Sequence, residues 1–319
     1  MTCMELSQSD AQTGQSAGIG VVHRLGVIGL GRMGGAFAAN LLAAGYEVHV
    51  FDPKADRVEA LTVQGAQPMD GPSAVAGLEA VITSLPDDAT ASAVTLGPGG
   101  LAERLAKGAA HISMSTVSPD LCRRMAEAHA NSGAAFVAAP VLGNPDLARD
   151  RRLFVIASGD ETATLRVVGA LRALSQRAFY LGEDPGAAAL MKLGANTLTA
   201  LTLQSLGEVL AFLAKAGVAP EDAFQVLSGS LFDGKVHKAY GGKILAKRWS
   251  PPGLTASLAC KDLRLALAEA ERAHAPMPAA SLTHDRLVAL MARGWADLDW
   301  SALGLLASVE AGLPGEPDR

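Results

Sequence analysis

Short apolar runs alternate with segments of helical periodicity from Leu25 to about Gly182. The predicted strands are 25–28, 47–52, 80–85, 110–114, 135–139 and 153–157. Helical segments such as 33–44 and 55–64 follow the first two of them. Strands and helices that alternate in this way form right-handed βαβ crossovers, so the pattern predicts a mainly parallel, doubly wound sheet covered on both faces.

The strand signals end near residues 182–186, and helical periodicity continues from there. The predicted helices are 187–217, 221–227, 258–274 and 280–293. We therefore expect an α/β domain at 23–184, followed by an all-α domain at 185–313 that is built on one long interdomain helix. Residues 1–22, rich in Ser, Gln, Gly and Thr, are expected to form a disordered leader, and 314–319 a flexible tail.

Composition is that of a globular chain, since 49% of the 319 residues are apolar and 18% are charged. A net charge of −5 argues against a nucleic-acid binder. The cysteines and histidines are scattered without disulfide or zinc spacing, so we expect no metal and a reduced, cytoplasmic setting. Charged and amide residues interrupt the most apolar stretch, 187–218, which argues against a membrane span.

Residues 29–34 match the pattern G-x-G-x-x-G where the first predicted strand ends and the first helix begins. The residues of this loop, all expected to contact a cofactor, are Gly29, Leu30, Gly31, Arg32, Met33 and Gly34. Gly29 permits a tight turn, Gly31 leaves room for a pyrophosphate, and Gly34 allows the helix to pack closely on the strand. Because the strand, the helix and the βαβ context agree, the loop predicts a dinucleotide-binding domain of the Rossmann type.

Asp52 ends the second predicted strand, 18 residues after Gly34, near the spacing expected of the acid that binds the adenosine ribose. Its carboxylate would accept hydrogen bonds from the ribose hydroxyls and repel a 2′-phosphate, which favours NAD. Lys54 and Arg57 follow and would partly neutralise such a phosphate, so NADP stays possible.

Lys192 and Asn196 lie one turn apart on one face of the long helix. Their neighbours are apolar or small, so Lys192 is predicted to be buried, and a buried lysine needs a partner or a depressed pKa. Such a lysine can exchange a proton with a carbonyl or alcohol oxygen, with Asn196 orienting the lysine or the substrate. The alternative is a lysine that extends to solvent beside a polar surface asparagine, and the spacing alone does not separate the two.

Five segments, in order between about Leu25 and Leu305, resemble those of the β-hydroxyacid dehydrogenase family. They are 29–34, 113–119, 139–144, 186–196 and 261–263. This family contains 3-hydroxyisobutyrate dehydrogenase, tartronate semialdehyde reductase, and glyoxylate or succinic semialdehyde reductases. The resemblance implies an NAD(P)-dependent oxidoreductase that moves a hydride between nicotinamide and a β-hydroxyacid or a short semialdehyde acid.

The resemblance also implies roles for individual residues. Lys192 becomes the general acid/base with Asn196 as a second catalytic residue, while Thr116 and Lys261 lie near the cofactor. The residues implied to contact the small-molecule substrate are Ser115, Thr116, Leu142, Gly143, Asn144, Lys192 and Asn196. A helical second domain led by one long helix further predicts subunit packing, as a homodimer or homotetramer.

Three positions depart from the family pattern. Ser113 stands where an acidic residue is usual, Leu142 replaces a serine that would receive the substrate carboxylate, and Asn144 replaces a glycine. Loss of the serine hydroxyl leaves a larger and more apolar pocket wall. Two other functions therefore stay open: an imine reductase-like enzyme, although that family usually lacks the lysine, and a dinucleotide-binding protein without turnover.

Overall fold

A computed structural model of the chain describes residues 3–6 and 20–314. The chain divides into two compact units: the first unit ends at Lys192, and the second unit begins at Leu193. The first unit contains a mixed sheet with helices, whereas the second is helical throughout its described part. The predicted fold class is confirmed.

Ten strands form the sheet of the first unit. They are β1 (Met4–Leu6), β2 (Arg24–Ile28), β3 (Glu47–Phe51), β4 (Gln67–Pro68), β5 (Ala80–Thr83), β6 (Ala110–Ser113), β7 (Ala135–Ala138), β8 (Val141–Leu142), β9 (Leu153–Gly159) and β10 (Ser175–Tyr180). Their spatial order is β1-β10-β9-β7-β6-β5-β2-β3-β4, with β8 paired to β9.

The helices of the first unit connect these strands. They are α1 (Arg32–Ala43), α2 (Ala55–Thr62), α3 (Asp88–Leu96), α4 (Leu101–Arg104), α5 (Pro119–Ser132), α6 (Pro145–Arg149) and α7 (Glu161–Ala173). Strands β4, β3, β2, β5, β6 and β7 run parallel, whereas β9 is antiparallel to β7 and β8. The largest apolar cluster joins Leu25 and Val50 of the sheet to Phe37 and Leu41 of α1, so burial of this helix fixes it against the strands.

Strand β1 corrects the expectation of a disordered leader over residues 1–22. Met4–Leu6 pairs antiparallel with β10, Leu6 is fully buried, and Arg177 binds the Glu5 carboxylate, 172 residues earlier in the chain. The expectation is wrong for these three residues, because local composition does not reveal a strand partner so far along the chain. Residues 1–2 and 7–19, and most of the predicted tail, 315–319, lie outside the described residues.

The second unit is a set of helices around one long member. They are α8 (Pro185–Lys215), which begins in the first unit, α9 (Pro220–Ser228), α10 (Lys235–Leu245), α11 (Ala256–Arg272), α12 (Pro278–Ala292) and α13 (Leu303–Glu310), with a 3₁₀ turn at Trp300–Ala302. Leu203, Leu263, Leu287 and Leu303 meet in its core.

Helix α8 begins at the predicted domain boundary, yet the compact units divide only after Lys192. Ala188 and Ala189 share an apolar cluster with Val117 and Leu121, so the first turns of α8 pack with the first unit. The helix therefore carries Lys192 at the end of the first unit and Asn196 in the second.

Among the described residues, α8 is the one helix long and apolar enough to cross a membrane by length and composition. Core helices of soluble proteins pass the same test, and Ala200, Leu203, Leu206 and Leu210 of α8 lie in the core of the second unit. The absence of a membrane span stays a prediction, since α8 keeps enough length and apolar character to cross a membrane despite its interrupting polar residues.

Candidate active site

The glycine loop joins β2 to α1 in a turn that side chains would block. Gly29 has φ of +88°, and a Cβ there would lie 2.4 Å from the Ser84 carbonyl oxygen. A Cβ on Gly34 would lie 1.8 Å from the Gly29 oxygen, far inside contact distance. A Cβ on Gly31 would meet no protein atom within 4 Å, so this glycine faces open space.

Helix α1 starts at this open space. Gly31 is its N-cap, no side chain caps it, and its first turn holds no acidic residue. Backbone N–H groups and the positive end of the helix dipole therefore face the loop, which favours an anion such as a phosphate. The loop fits a pyrophosphate because Gly31 has no side chain, which leaves space for the ligand beside the start of α1.

Asp52 follows β3 beside the loop and is buried. Its Oδ2 accepts a hydrogen bond of 2.7 Å from the Leu30 N–H, and its Oδ1 accepts one of 2.9 Å from the Lys54 N–H. Arg57 Nη1 lies 3.2 Å from Oδ2. Burial by itself raises the pKa of Asp52, but the two N–H donors and Arg57 outweigh it, so the pKa is lowered and the carboxylate stays charged.

A cavity of about 420 Å³ adjoins Asp52 on the side of α2. Apolar groups of Phe51, Val58 and Met69 line it together with Thr62. An apolar wall beside a charged acceptor suits a flat base attached to a ribose. The loop, the carboxylate and the cavity together fit the adenosine diphosphate half of a dinucleotide.

Ser115 and Thr116 follow β6, at the same carboxyl edge of the parallel sheet. The Ser115 hydroxyl accepts a hydrogen bond of 2.8 Å from the Leu85 N–H and donates to the Thr83 carbonyl at 3.4 Å. It thereby ties the end of β5 to the end of β6. Thr116 is half-buried, one position further along.

The predicted substrate loop at 142–144 is built by its own local contacts. Half-buried Leu142 packs on the apolar cluster that holds Val117 and Leu121. A Cβ on Gly143, whose φ is +143°, would lie 2.6 Å from a methyl carbon of Leu153. Asn144 caps α6, because its Oδ1 accepts a hydrogen bond of 2.9 Å from the Leu147 N–H. The Asn144 side chain is thus directed to its own helix.

Lys192 and Asn196 are both buried on α8, with 8% and 7% of their surface exposed. The alternative in which Lys192 extends to solvent does not describe this structure. The two side chains lie one turn apart on a helix whose neighbouring residues are apolar or small.

Asp262 contacts both Asn196 and Lys261 within the second unit, although only Lys261 was expected from the sequence. Asn196 Nδ2 donates a hydrogen bond of 2.6 Å to Asp262 Oδ2, and Lys261 Nζ lies 3.0 Å from Asp262 Oδ1. The second contact is an ion pair without hydrogen-bond alignment. Asp262 is 2% exposed, so it orients the amide of Asn196 and balances the charge of Lys261. Asp262 could have been found from the sequence, because it is an acidic residue within the segment 261–263 of a predicted helix.

The site residues therefore fall into two sets. The loop 29–34, Asp52 and Thr116 all lie at carboxyl ends of neighbouring parallel strands in the first unit. Asn196, Lys261 and Asp262 meet in the second unit. Across residues 3–6 and 20–314, no three His, Cys, Asp or Glu side chains are grouped to hold a metal ion.

Two family descriptions match this chain. Residues 24–182 match the NAD binding domain of 6-phosphogluconate dehydrogenase. Residues 186–306 match the NAD-binding domain of NADP-dependent 3-hydroxyisobutyrate dehydrogenase. The two matches meet where α8 begins.

Relatives match over nearly the same length. The "uncharacterized oxidoreductase YfjR" of Bacillus subtilis is 39% identical over 281 residues, which is 88% of this chain and 98% of the relative. The 3-hydroxyisobutyrate dehydrogenase of Pseudomonas aeruginosa is 34% identical over 286 residues, 86% of this chain and 95% of the relative. A crystal structure of 3-hydroxyisobutyrate dehydrogenase from Salmonella typhimurium shares the fold, with a TM-score of 0.81 and 23% identity, over 89% of this chain and 99% of that one.

Proposed function

This chain belongs to the β-hydroxyacid dehydrogenase family of NAD(P)-dependent oxidoreductases, and we propose that Lys192 is the general acid/base that acts on a β-hydroxyacid or short semialdehyde acid. The observation that carries the proposal is the burial of Lys192 on α8, one turn from Asn196, in a chain that also builds a dinucleotide loop. When bound, nicotinamide donates or accepts the hydride, which no side chain can do.

The side chains supply the proton and the placement. In the reducing direction the Lys192 ammonium donates a proton to the carbonyl oxygen, and in the oxidising direction its amine takes the proton of the hydroxyl. Asn196 places its amide beside this exchange, held by the Asp262 carboxylate. Because both groups are buried, few water molecules compete for the substrate oxygen.

Leu142 supports a substrate with an apolar substituent next to its carboxylate. In the family pattern it replaces a serine whose hydroxyl would receive the substrate carboxylate, and it packs on an apolar cluster. The Asn144 side chain is committed to its helix cap. We propose that the substrate is bulkier or more apolar than a two-carbon acid.

NAD is the proposed cofactor. The Asp52 carboxylate is charged and stands beside the expected ribose site, where it repels a 2′-phosphate. Arg57, the cation that would attract such a phosphate, already pairs with Asp52 at 3.2 Å. A cation whose charge is balanced by a neighbour attracts a phosphate less strongly.

We propose that the enzyme is a homodimer formed by the outer face of α8. Leu198 and Phe212 are 67% and 66% exposed on this face, and Val226 of α9 is 68% exposed. At 100° of rotation per residue, Leu198 lies about 120° and Phe212 about 160° around the helix from Lys192, so both point away from it. A groove of about 280 Å³ lined by Leu201, Leu227 and Phe232, among others, continues this apolar face. A continuous exposed apolar face of this kind is typical of a protein–protein interface.

Cys122 and Cys260 are buried free thiols, and Cys3 is an exposed one. A chain with free thiols suits a reducing compartment, so we propose a cytoplasmic location.

The proton role is tested with Lys192→Ala, assayed on a panel of short hydroxyacids and aldehyde acids with NADH and NADPH. We expect kcat to fall about a thousandfold with an unchanged Kd for NADH. Lys215→Ala, at the exposed end of the same helix, is the matched control. Unchanged turnover in Lys192→Ala would remove the proposed role.

The same panel separates the other two functions. Turnover of a cyclic imine, with none of any aldehyde acid, would favour an imine reductase-like enzyme. Cofactor binding without turnover of any substrate would favour a dinucleotide-binding protein.

Sedimentation of Phe212→Glu tests the dimer, since a charge on this apolar face is expected to yield monomers.

A further inference from the structure

Side chains and backbone of the first unit hold the first turn of α8 by several hydrogen bonds. Asp184 precedes the helix, and its Oδ1 accepts a hydrogen bond of 3.0 Å from the Gly186 N–H, while its carbonyl accepts one of 3.0 Å from Ala187. The buried Ser158 hydroxyl, from β9, accepts a bond of 3.0 Å from the Ala188 N–H. Three successive N–H groups of the first turn are thus satisfied by the first unit.

Arg123 of α5 closes over this turn. Its Nε and Nη2 donate to the two Asp184 oxygens at 2.9 and 2.8 Å, a bidentate pair. The pair lowers the pKa of Asp184, so the carboxylate keeps its charge. A Cβ on Gly186 would lie 2.6 Å from Arg123 Cζ, so the guanidinium occupies the place of a side chain at this position.

Arg123 also sits on the helix that follows the Thr116 segment. Helix α5 starts at Pro119, capped by Ser118, whose Oγ accepts a bond of 3.2 Å from the Leu121 N–H. The Ser118 N–H donates to Asp88 of α3 at 3.0 Å, which fixes this end of α5. Arg123 therefore connects the helix after Thr116 to the helix that carries Lys192.

We propose that Arg123 and Asp184 form a positioning clamp that sets where α8 begins and, through it, where the Lys192 amine lies. This inference rests on the proposed proton role of Lys192. Both side chains are about half exposed, so the pair contributes little to folding stability. Its effect is on placement, because Lys192 lies less than two turns from Gly186 and proton transfer tolerates little displacement.

Three variants break the clamp in different ways. Arg123→Ala removes the guanidinium, and Asp184→Asn keeps an oxygen for the Gly186 N–H but removes the charge. Gly186→Ala leaves every charge in place, favours the helix, and displaces the guanidinium. Arg124→Ala, an exposed neighbour on the same helix, is the matched control.

We expect Arg123→Ala and Gly186→Ala to lower kcat about tenfold, with unchanged KM, NADH affinity and melting temperature. The ratio of kcat in H₂O to kcat in D₂O should rise, because a displaced lysine makes the proton step slower. The double variant Arg123→Ala, Gly186→Ala should lose no more kcat than either single variant, since both substitutions break the same contact. Amide hydrogen exchange at 186–189, measured without substrate, should be faster in these variants than in Arg124→Ala.

The clamp would be overturned if Arg123→Ala matched Arg124→Ala in kcat, isotope ratio and exchange, or if the losses of the two single variants added. A fall in kcat that only follows a fall in melting temperature would also overturn it. If Lys192→Ala keeps full turnover, the proton role fails instead. Loss of turnover in Lys192→Ala beside a neutral Arg123→Ala separates the two failures.

Discussion

The dinucleotide loop is shaped by backbone contacts, whereas the Asn196–Asp262 pair is formed by side chains. The loop lies within one continuous stretch of chain and is shaped by backbone contacts, with Gly34 packed against Gly29. The Asn196–Asp262 pair is made of side chains 66 residues apart on α8 and α11. The loop depends on the absence of side chains, whereas the pair depends on two helices placing specific side chains together.

This difference determines how each region fails. A methyl group added at Gly29 or Gly34 meets backbone that cannot move aside, so the defect is steric and local. A group removed from the pair takes away a buried charge-assisted hydrogen bond, so the cost is that of a lost buried polar contact. We therefore expect substitutions to separate folding from binding in the loop, and to lower stability in the second unit.

The largest effect is expected from Gly34→Ala compared with Gly31→Ala. A Cβ at 34 meets the Gly29 oxygen at 1.8 Å, so Gly34→Ala should cost more than about 3 kcal/mol of stability. Gly31→Ala should leave stability unchanged but weaken NADH binding at least about tenfold, because the added methyl fills the open space beside α1. Urea unfolding and NADH fluorescence titration measure the two quantities. Equal losses of stability would contradict the distinction.

Asp262→Ala is expected to cost about 3 kcal/mol, because it removes a buried hydrogen bond to the Asn196 amide and a buried ion pair with Lys261. Asp262→Asn keeps an oxygen for Asn196 but not the ion pair, so it should lose less. Urea unfolding of both variants checks the order. If Asp262→Ala were as stable as Asp262→Asn, the pair would not be held by hydrogen bonding.

Acid is expected to affect the first unit through a buried histidine pair. His111 Nδ1 and His129 Nε2 lie 2.9 Å apart, Thr83 Oγ1 lies 2.9 Å from His111 Nε2, and Phe136 packs against both rings. Burial lowers the pKa of His129 to about 4, and burial together with His129 lowers that of His111 well below its ordinary value.

In an unfolded chain the pKa of histidine is about 6.5. Between pH 6.5 and 4 the unfolded chain therefore binds protons that the folded chain does not, and stability falls as the pH falls. His129 alone should cost about 2.5 kcal/mol by pH 4.5. His129→Gln should weaken the pH dependence of the urea unfolding midpoint across this range. The matched control, His274→Gln at an exposed position, should leave that dependence unchanged. The carboxyl of Asp52, with its lowered pKa, loses its contribution only at more acidic pH.

The smallest effect is a change of cofactor preference. Asp52→Asn removes the charge that repels a 2′-phosphate and releases Arg57 from its ion pair. The ratio of NADPH affinity to NADH affinity should rise about tenfold. The double variant Asp52→Asn, Arg57→Ala should lose most of that gain. Titration with both cofactors measures it, and an unchanged ratio would contradict the assignment of Asp52 as selector.

Much of the first unit could be predicted from its sequence. The strand pattern indicated the sheet, and the glycine loop with Asp52 indicated a dinucleotide site. The use of the Ser115 hydroxyl between β5 and β6, and of Asn144 as a helix cap, could not be predicted, because a hydroxyl or an amide serves a substrate or a neighbouring N–H equally well. Only the position of that neighbour decides.

The sequence by itself determined six of the ten strands (β2, β3, β5, β6, β7 and β9) and their alternation with helices, the dinucleotide loop and the helix face shared by Lys192 and Asn196. Each of these follows from spacing within a short stretch, through alternation, helical rotation or the freedom of glycine. The tertiary structure decided that Met4–Leu6 joins the sheet, that Asp262 binds Asn196, and that Arg123 closes over Gly186. Such contacts join residues far apart in the chain, and they exist only once burial of the apolar faces has packed the elements together.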